Sequence, residues 1–489
     1  MGHLHGEHRG AILALIGSER LTMGDLTLLS DSALAEVNVN ALPETPEVGS
    51  TLARRRILGI TARAFAWVGG FLLALLICWQ WGASTGVHND FTQNVWLPAR
   101  LVLDGHDPYY PTREQVYAAL GEHRAVFDRP NPLDNFNSGA TYHFIYPVWV
   151  AFALSPFAAL PLPAATALWR ALNALLLVWS VLTLLRASNP AFHSTRPQVI
   201  GALAVTATMC VLPTFRVSFL TLYTGQFAII ELALLAAIWT LLIMSARADA
   251  RQRWWSDALV GLALAVLATK PQSVGLAVAL VGVWAIARRR YVIPGVAVGA
   301  LAALLLVPNL LYAWSLGDWL AVVRGGQASS QAQVSASVWG VSYHWLGSGA
   351  PWVAVALALT AVGLLALVPR WWGDLRDRLS PVPLALGLTL CVNSVISPYL
   401  LGYEQVVLLL PALVFLAAAG LAGQAATPAR ERDGMLWRLA IYGWLAILPT
   451  LVLAVQAVLG SVEYPAIAQS LAMLALCWTA KLKWKWNQT

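Results

Sequence analysis

Charge is what this sequence has least of. Only 11% of its 489 residues are Asp, Glu, Lys or Arg, against roughly 25% in ordinary soluble domains. With 58% hydrophobic residues and a mean hydropathy of +0.64, that scarcity excludes a soluble enzyme and a disordered scaffold. A core absorbs apolar residues in proportion to its volume, and no globule of this length requires so many. Cysteine is also scarce. Cys78, Cys210, Cys391 and Cys477 all lie in apolar runs. They show neither metal-ligand spacing nor a disulfide framework, and read as packing residues. No Walker or Rossmann glycine pattern occurs, which disfavours a nucleotide-linked ligand. No carboxylate set has metal spacing, so neither a bound metal nor a cofactor is expected.

What the chain has is long apolar runs and 23 Trp, a residue that prefers the membrane–water boundary. Stretches near 59–82, 163–186, 197–215, 225–245, 257–270, 272–287, 291–313, 351–369, 381–400, 404–423, 437–458 and 462–480 qualify as spans. A further apolar piece, 145–160, carries two prolines. The expected fold is an all-α polytopic membrane protein with about twelve transmembrane helices. Residues 1–56 read as a cytoplasmic tail without a signal-peptide pattern, and 57–489 as one transmembrane domain.

The net charge of +7 sits in small basic clusters between apolar runs, not along one face. Nucleic acid is therefore not the expected partner. With Arg54, Arg55 and Arg56 inside and 145–160 re-entrant, the inner side collects Arg186, Arg196, Arg247, Arg251, Arg253, Arg288, Arg289 and Arg290. It also takes Arg370, Arg376, Arg378, Arg430, Arg432, Arg438, Lys481, Lys483 and Lys485. The outer side keeps Arg216, Lys270 and Arg324. The positive-inside rule then puts both termini in the cytoplasm. Two large outer loops result, 84–144 and 314–350, and the protein is expected to work on that face.

The first outer loop holds Asp90, Asp104, Asp107, Glu114, Glu122, Asp128 and Asp134. Phe91, Val95 and Val102 recur at helical spacing, which predicts a juxtamembrane helix, with a kink at Pro98 and a turn over Gly105–Pro108. Asp90 starts that helix. Two readings stand: an N-cap whose carboxylate accepts backbone N–H bonds, or a general base where a lipid-borne substrate meets water.

Several fragments resemble one family. Asn89-Asp90-Phe91 followed by LVLDGHDPYYP is similar to the opening of glycosyltransferase family 87. So are Tyr146-Pro147 with ALPLPAATALWRALNALLL, Tyr223-Thr224-Gly225-Gln226, Lys270-Pro271-Gln272 and QVSASVWGVSYHWLG (333–347). Ser397-Pro398 with Tyr403-Glu404 resembles a later signature. Family members often carry Asn-Gln-Ser where this chain has Gln331-Ala332-Gln333 and then Ser335, and paired His where it has Tyr403-Glu404. The sugar and the acceptor are therefore not carried over.

The resemblance implies a GT-C-like fold in a bacterial cell membrane, with an extracytoplasmic active site. It implies transfer of mannose or arabinofuranose from a polyprenyl-phosphate donor to a lipid-linked or cell-envelope glycan acceptor. It assigns the base to Asp90. A phosphate leaving group needs little protonation, so one base suffices where a glycosidase needs two carboxylates. The donor's phosphate or sugar is expected to meet Lys270, His344, Arg216 and Gln226, and the acceptor or sugar to meet Glu404, Asp107 and Tyr403. Each has a plainer reading: a snorkelling Lys270, a structural His344, a Glu404 favoured at a helix N-terminus. The rival function is a transporter or lipid flippase, and the third a non-catalytic assembly protein. The chain shows no repeat between its halves.

Overall fold

The structure is a computed structural model of the chain. It describes residues 67–80, 90–123, 144–188, 203–204, 206–207, 216–245, 248–312, 316–324, 335–347, 350–366, 382–397, 400–422, 428–458 and 464–486. The expected tail at 1–56, most of the span at 197–215, Asp128, Asp134, Cys210 and the segment Gln331-Ala332-Gln333 lie outside the described residues. Contacts divide the chain into Met1–Gly69 and Gly70–Thr489, and all that follows lies in the second unit except the first three residues of the first helix.

All regular elements among the described residues are helices. α1 is Trp67–Gln80. A π-helical turn, Thr92–Trp96, leads into α2, Leu97–Leu103. α3 is Arg113–Leu120, α4 Val148–Ala158, α5 Leu162–Ser188 and α6 Arg216–Thr224. α7 is Ala228–Ser245, α8 Ala250–Leu267, α9 Pro271–Ala287 and α10 Val292–Leu311. α11 is Leu316–Arg324, α12 Val338–Leu346, α13 Ala350–Ala366 and α14 Val382–Ile396. A 3-10 segment, Gly402–Leu408, precedes α15, Leu409–Ala422. α16 is Pro428–Val458 and α17 Ile467–Trp486.

A helix thus stands in every expected stretch that the structure describes. Four are long and apolar enough to cross a membrane: Leu162–Ser188, Ala228–Ser245, Val292–Leu311 and Leu439–Gln456 within α16. The shorter apolar helices include α1, α4 and α9. At 1.5 Å per residue, α4 covers about 16 Å, half of a hydrocarbon core. Its 11 residues carry Pro156 inside and follow Pro147, so the piece at 145–160 is too short to cross as one helix.

One core joins α5, α7, α8, α9, α14, α15, α16 and α17 around Leu232, Ile238, Val274, Leu390 and Leu413. α10 packs against α8, where Gly261 permits the approach: a Cβ there would stand 2.6 Å from the Ile293 carbonyl oxygen. The rest of α10 is apolar and open, with Leu310 82% exposed, as suits a lipid-facing helix. Cys78, Cys391 and Cys477 are buried and free.

Two sequence expectations gain detail. Pro98 lies in a helical run that changes type beside it. It falls at the start of α2 directly after the π turn. The wider turn there takes up the residue that cannot continue an i→i−4 ladder. Arg290 is more than a topology marker, because its guanidinium pairs with Asp257, donates to Ser245 Oγ at 2.7 Å and lies 5.2 Å from the Trp284 ring centroid. It ties together the ends of α7, α8 and α9.

Candidate functional site

The fragments that are far apart in sequence meet in space. Phe91, next to Asp90, stacks at 5.5 Å on Trp169 of α5. Trp169 Nε1 donates to the Gly225 carbonyl at 2.8 Å, and the Arg170 guanidinium donates to the Tyr223 carbonyl at 2.8 Å. The Tyr223–Gln226 turn is thereby clasped by α5. Gly225 has φ +75°, and a Cβ on it would stand 2.5 Å from Phe91 Cβ. Glycine is required twice over, for the left-handed backbone and for the approach. Asp90 itself is half-buried, and its carboxylate accepts from Asn94 Nδ2 at 3.4 Å.

A second group forms around Lys270, the residue before α9. Its side chain does not snorkel. Lys270 is 4% exposed, and Nζ lies 2.8 Å from Glu404 Oε1 and 3.4 Å from Glu231 Oε1. Glu231 sits in the first turn of α7 and accepts from the Ser273 hydroxyl. Glu404 Oε2 accepts the Leu401 N–H at 3.0 Å, so it also serves its own 3-10 turn. Asn393 of α14 locks the start of α9, donating to the Gln272 carbonyl at 2.6 Å and accepting from Leu276 N–H at 3.0 Å. The loop ahead of α12 is pinned beside it. Ser335 Oγ donates to the Leu400 carbonyl at 3.0 Å, and Trp339 Nε1 to the Ile396 carbonyl at 3.0 Å.

Tyr146 stands between the two groups. Its ring meets Phe227 edge-on at 5.0 Å, and its carbonyl accepts from the Tyr109 hydroxyl at 3.0 Å. Burial pushes its phenol well above the ordinary value; Lys270 opposes this, while Glu404, Asp90 and Glu231 reinforce it. The hydroxyl therefore keeps its proton at neutral pH.

The remaining expected residues are placed less centrally. Gln226 is buried behind Gly225. Asp107 is half-buried and accepts the Tyr109 N–H at 2.8 Å; burial pushes its carboxyl up, more than that bond pulls it down. Asp104 pairs with Arg100 at 3.1 Å. His344 is exposed in the last turn of α12, edge-on to the exposed Trp345 at 5.4 Å. Arg216 begins α6 and Tyr403 lies in the 3-10 segment, but their side chains are outside the described residues. Among the described residues, no group of three or more His, Cys, Asp or Glu could hold a metal ion.

The profile of glycosyltransferase family 87 matches residues 144–398, more than half of the chain. The chain belongs to that family. Neither a curated protein nor a solved structure matches it. The matched region holds Tyr146, the Tyr223–Gln226 turn, Glu231 and Lys270, and ends at the Ser397-Pro398 signature; Asp90 precedes it. Family membership makes the chain a membrane glycosyltransferase and favours sugar transfer over transport.

Sequence reasoning missed Glu231 and Tyr146 as members of the site. Glu231 was visible as an acid in an apolar run. Its signal was that Lys270 is an isolated cation in another apolar run, and buried charges require partners.

Proposed function

We propose that this glycosyltransferase moves a sugar, with mannose the first candidate, from a polyprenyl-phosphate donor to a lipid-linked or cell-envelope glycan acceptor. The acceptor hydroxyl attacks the anomeric carbon from the face opposite the phosphate, and its proton passes to Asp90. The bond from that carbon to the phosphate oxygen breaks, polyprenyl phosphate leaves with the electron pair, and the anomeric carbon is inverted. The observation that carries the reading is the seating of Phe91 against Trp169 and the Gly225 turn. It holds Asp90 where its charge is felt at Tyr146, and a base requires such a fixed position.

In this reading the protein is multi-pass with about twelve spans, its termini are cytoplasmic, and the reaction occurs on the extracytoplasmic side of a bacterial cell membrane. Arg216 and His344 supply charge to the leaving phosphate, and Gln226 meets the donor. Lys270 is already paired with two glutamates, so its part is to hold Glu404 and Glu231 in place. Tyr403 and Asp107 flank the acceptor side.

The test is transfer by purified protein in lipid, given a membrane-lipid acceptor extract and one labelled donor at a time. Polyprenyl-phosphate mannose should be consumed and a nucleotide-linked mannose should not. Turnover of the nucleotide donor alone would contradict the proposal.

A further inference from the structure

A cavity of about 180 Å³ opens between α4, α7 and α8, several times the room a single water needs. Its body is apolar, walled by Trp149, Leu154, Phe227, Leu234 and Val266. Its polar end is made by Tyr146, Glu231, Thr269 and Lys270.

Three features of that end select a ligand chemistry. First, Glu231 is 4% exposed, and while Ser273 serves its Oε2, its Oε1 accepts no hydrogen bond. Lys270 Nζ stands 3.4 Å away, an ion-pair contact only. A buried carboxylate oxygen left unfilled is costly, and this one belongs to a residue that lines a cavity. Second, Tyr146, itself 5% exposed, lines the same space and brings a phenol hydroxyl to it. Third, Lys270 is already engaged by two glutamates, so this end offers a phosphate no free cation, while carboxylate oxygens accept hydrogen bonds from neutral hydroxyls. The rings of Trp149 and Phe227 add flat apolar faces, which suit the C–H face of a sugar.

Building on the polyprenyl-phosphate donor reading, we propose that this polar end receives the hydroxyls of the transferred sugar. Glu231 Oε1 accepts from one, the Tyr146 hydroxyl bonds a second, and Lys270 holds the two glutamates in place. Tyr146 and Glu231 are thus determinants of sugar recognition, and the phosphate lies outside this pocket.

The experiment compares two ligands on the full chain in lipid discs: polyprenyl-phosphate mannose and sugar-free polyprenyl phosphate. Tyr146→Phe deletes one hydroxyl and keeps the ring against Phe227. It should weaken the mannosyl lipid about tenfold, the worth of one good hydrogen bond, and leave the sugar-free lipid unchanged. Glu231→Gln, which keeps an oxygen for Ser273, should show the same selectivity and stands in should Tyr146→Phe not fold. Equal weakening of both lipids, or of neither, overturns the sugar subsite while leaving the donor reading intact. Wild-type protein that binds neither lipid overturns the donor reading and this proposal together.

Discussion

Lys270 Nζ lies 2.8 Å from Glu404 Oε1, with both side chains at most 5% exposed. These two residues are 134 positions apart, and each interrupts an apolar run. Their pairing ties the start of α9 to the 3-10 segment ahead of α15. A lysine so placed is not a free cation waiting for a phosphate. Removing it strands two buried carboxylates without their cation. Lys270→Met should therefore cost about 3–5 kcal/mol of stability, read as a large drop in the thermal transition in detergent. Adding Glu404→Gln to that variant should recover part of the loss. Strict additivity of the two single changes would mean that the pair is not coupled.

Gly225 makes a different prediction. Gly225→Ala forces a Cβ to within 2.5 Å of Phe91 Cβ in a backbone at φ +75°. The left-handed backbone alone costs about 1–2 kcal/mol, and Phe91 must move, taking Asp90 with it. Transfer per folded molecule should fall by at least tenfold, since a displacement of about 1 Å at a reacting group can cost a hundredfold. Gly261→Ala, whose Cβ meets the Ile293 carbonyl on α10 instead, is the control. It should lower stability and leave the rate per folded molecule unchanged.

Much of this was legible in the sequence, and the reasons differ by element. The helices follow from apolar runs, because a bilayer leaves no other partner for the backbone. Asp90 stood out by its place after the first apolar run, and Tyr223-Thr224-Gly225-Gln226 only by its resemblance to a family fragment. The count of spans is a weaker inference. Among the described residues four helices reach crossing length and composition, and others, such as α4 with Pro156 inside it, are shorter. Side-chain pairing was not legible. No spacing rule links Glu231 to Lys270 or Asp257 to Arg290; only the packing of α7, α8 and α9 brings them together. His344 was singled out by its family-like context, and the fold places it, exposed, in the last turn of α12.

Arg290 tests the packing at the opposite end of α8. Its guanidinium binds Asp257, and the pair is mostly buried, at 14% and 6% side-chain exposure. Arg290→Met should destabilise by about 3 kcal/mol or more by leaving Asp257 unpaired. Arg289→Met, on the exposed neighbour, should change stability by less than about 0.5 kcal/mol. Thermal unfolding of the two variants side by side decides this, and equal effects would refute the structural role.

Asp107 predicts a pH dependence. Burial raises its carboxyl above the ordinary carboxylate value, so the folded state holds the proton more tightly than the unfolded chain. Stability therefore falls as pH rises from the ordinary carboxylate value through the raised one. Asp107→Asn keeps an oxygen for the Tyr109 N–H and removes the titration. The variant should gain stability relative to wild type at neutral pH, and the gain should vanish once the pH is below the carboxylate range. A gain that persists unchanged in acid would exclude this cause.

The central claim is that Asp90 takes the proton of the acceptor hydroxyl. The direct measurement is single-turnover transfer from polyprenyl-phosphate mannose by Asp90→Asn, with donor binding followed in the same preparation. A lost general base should slow transfer by about 10²–10⁴-fold while donor affinity and the thermal transition stay near wild type. Transfer at the wild-type rate by folded Asp90→Asn protein would contradict the account.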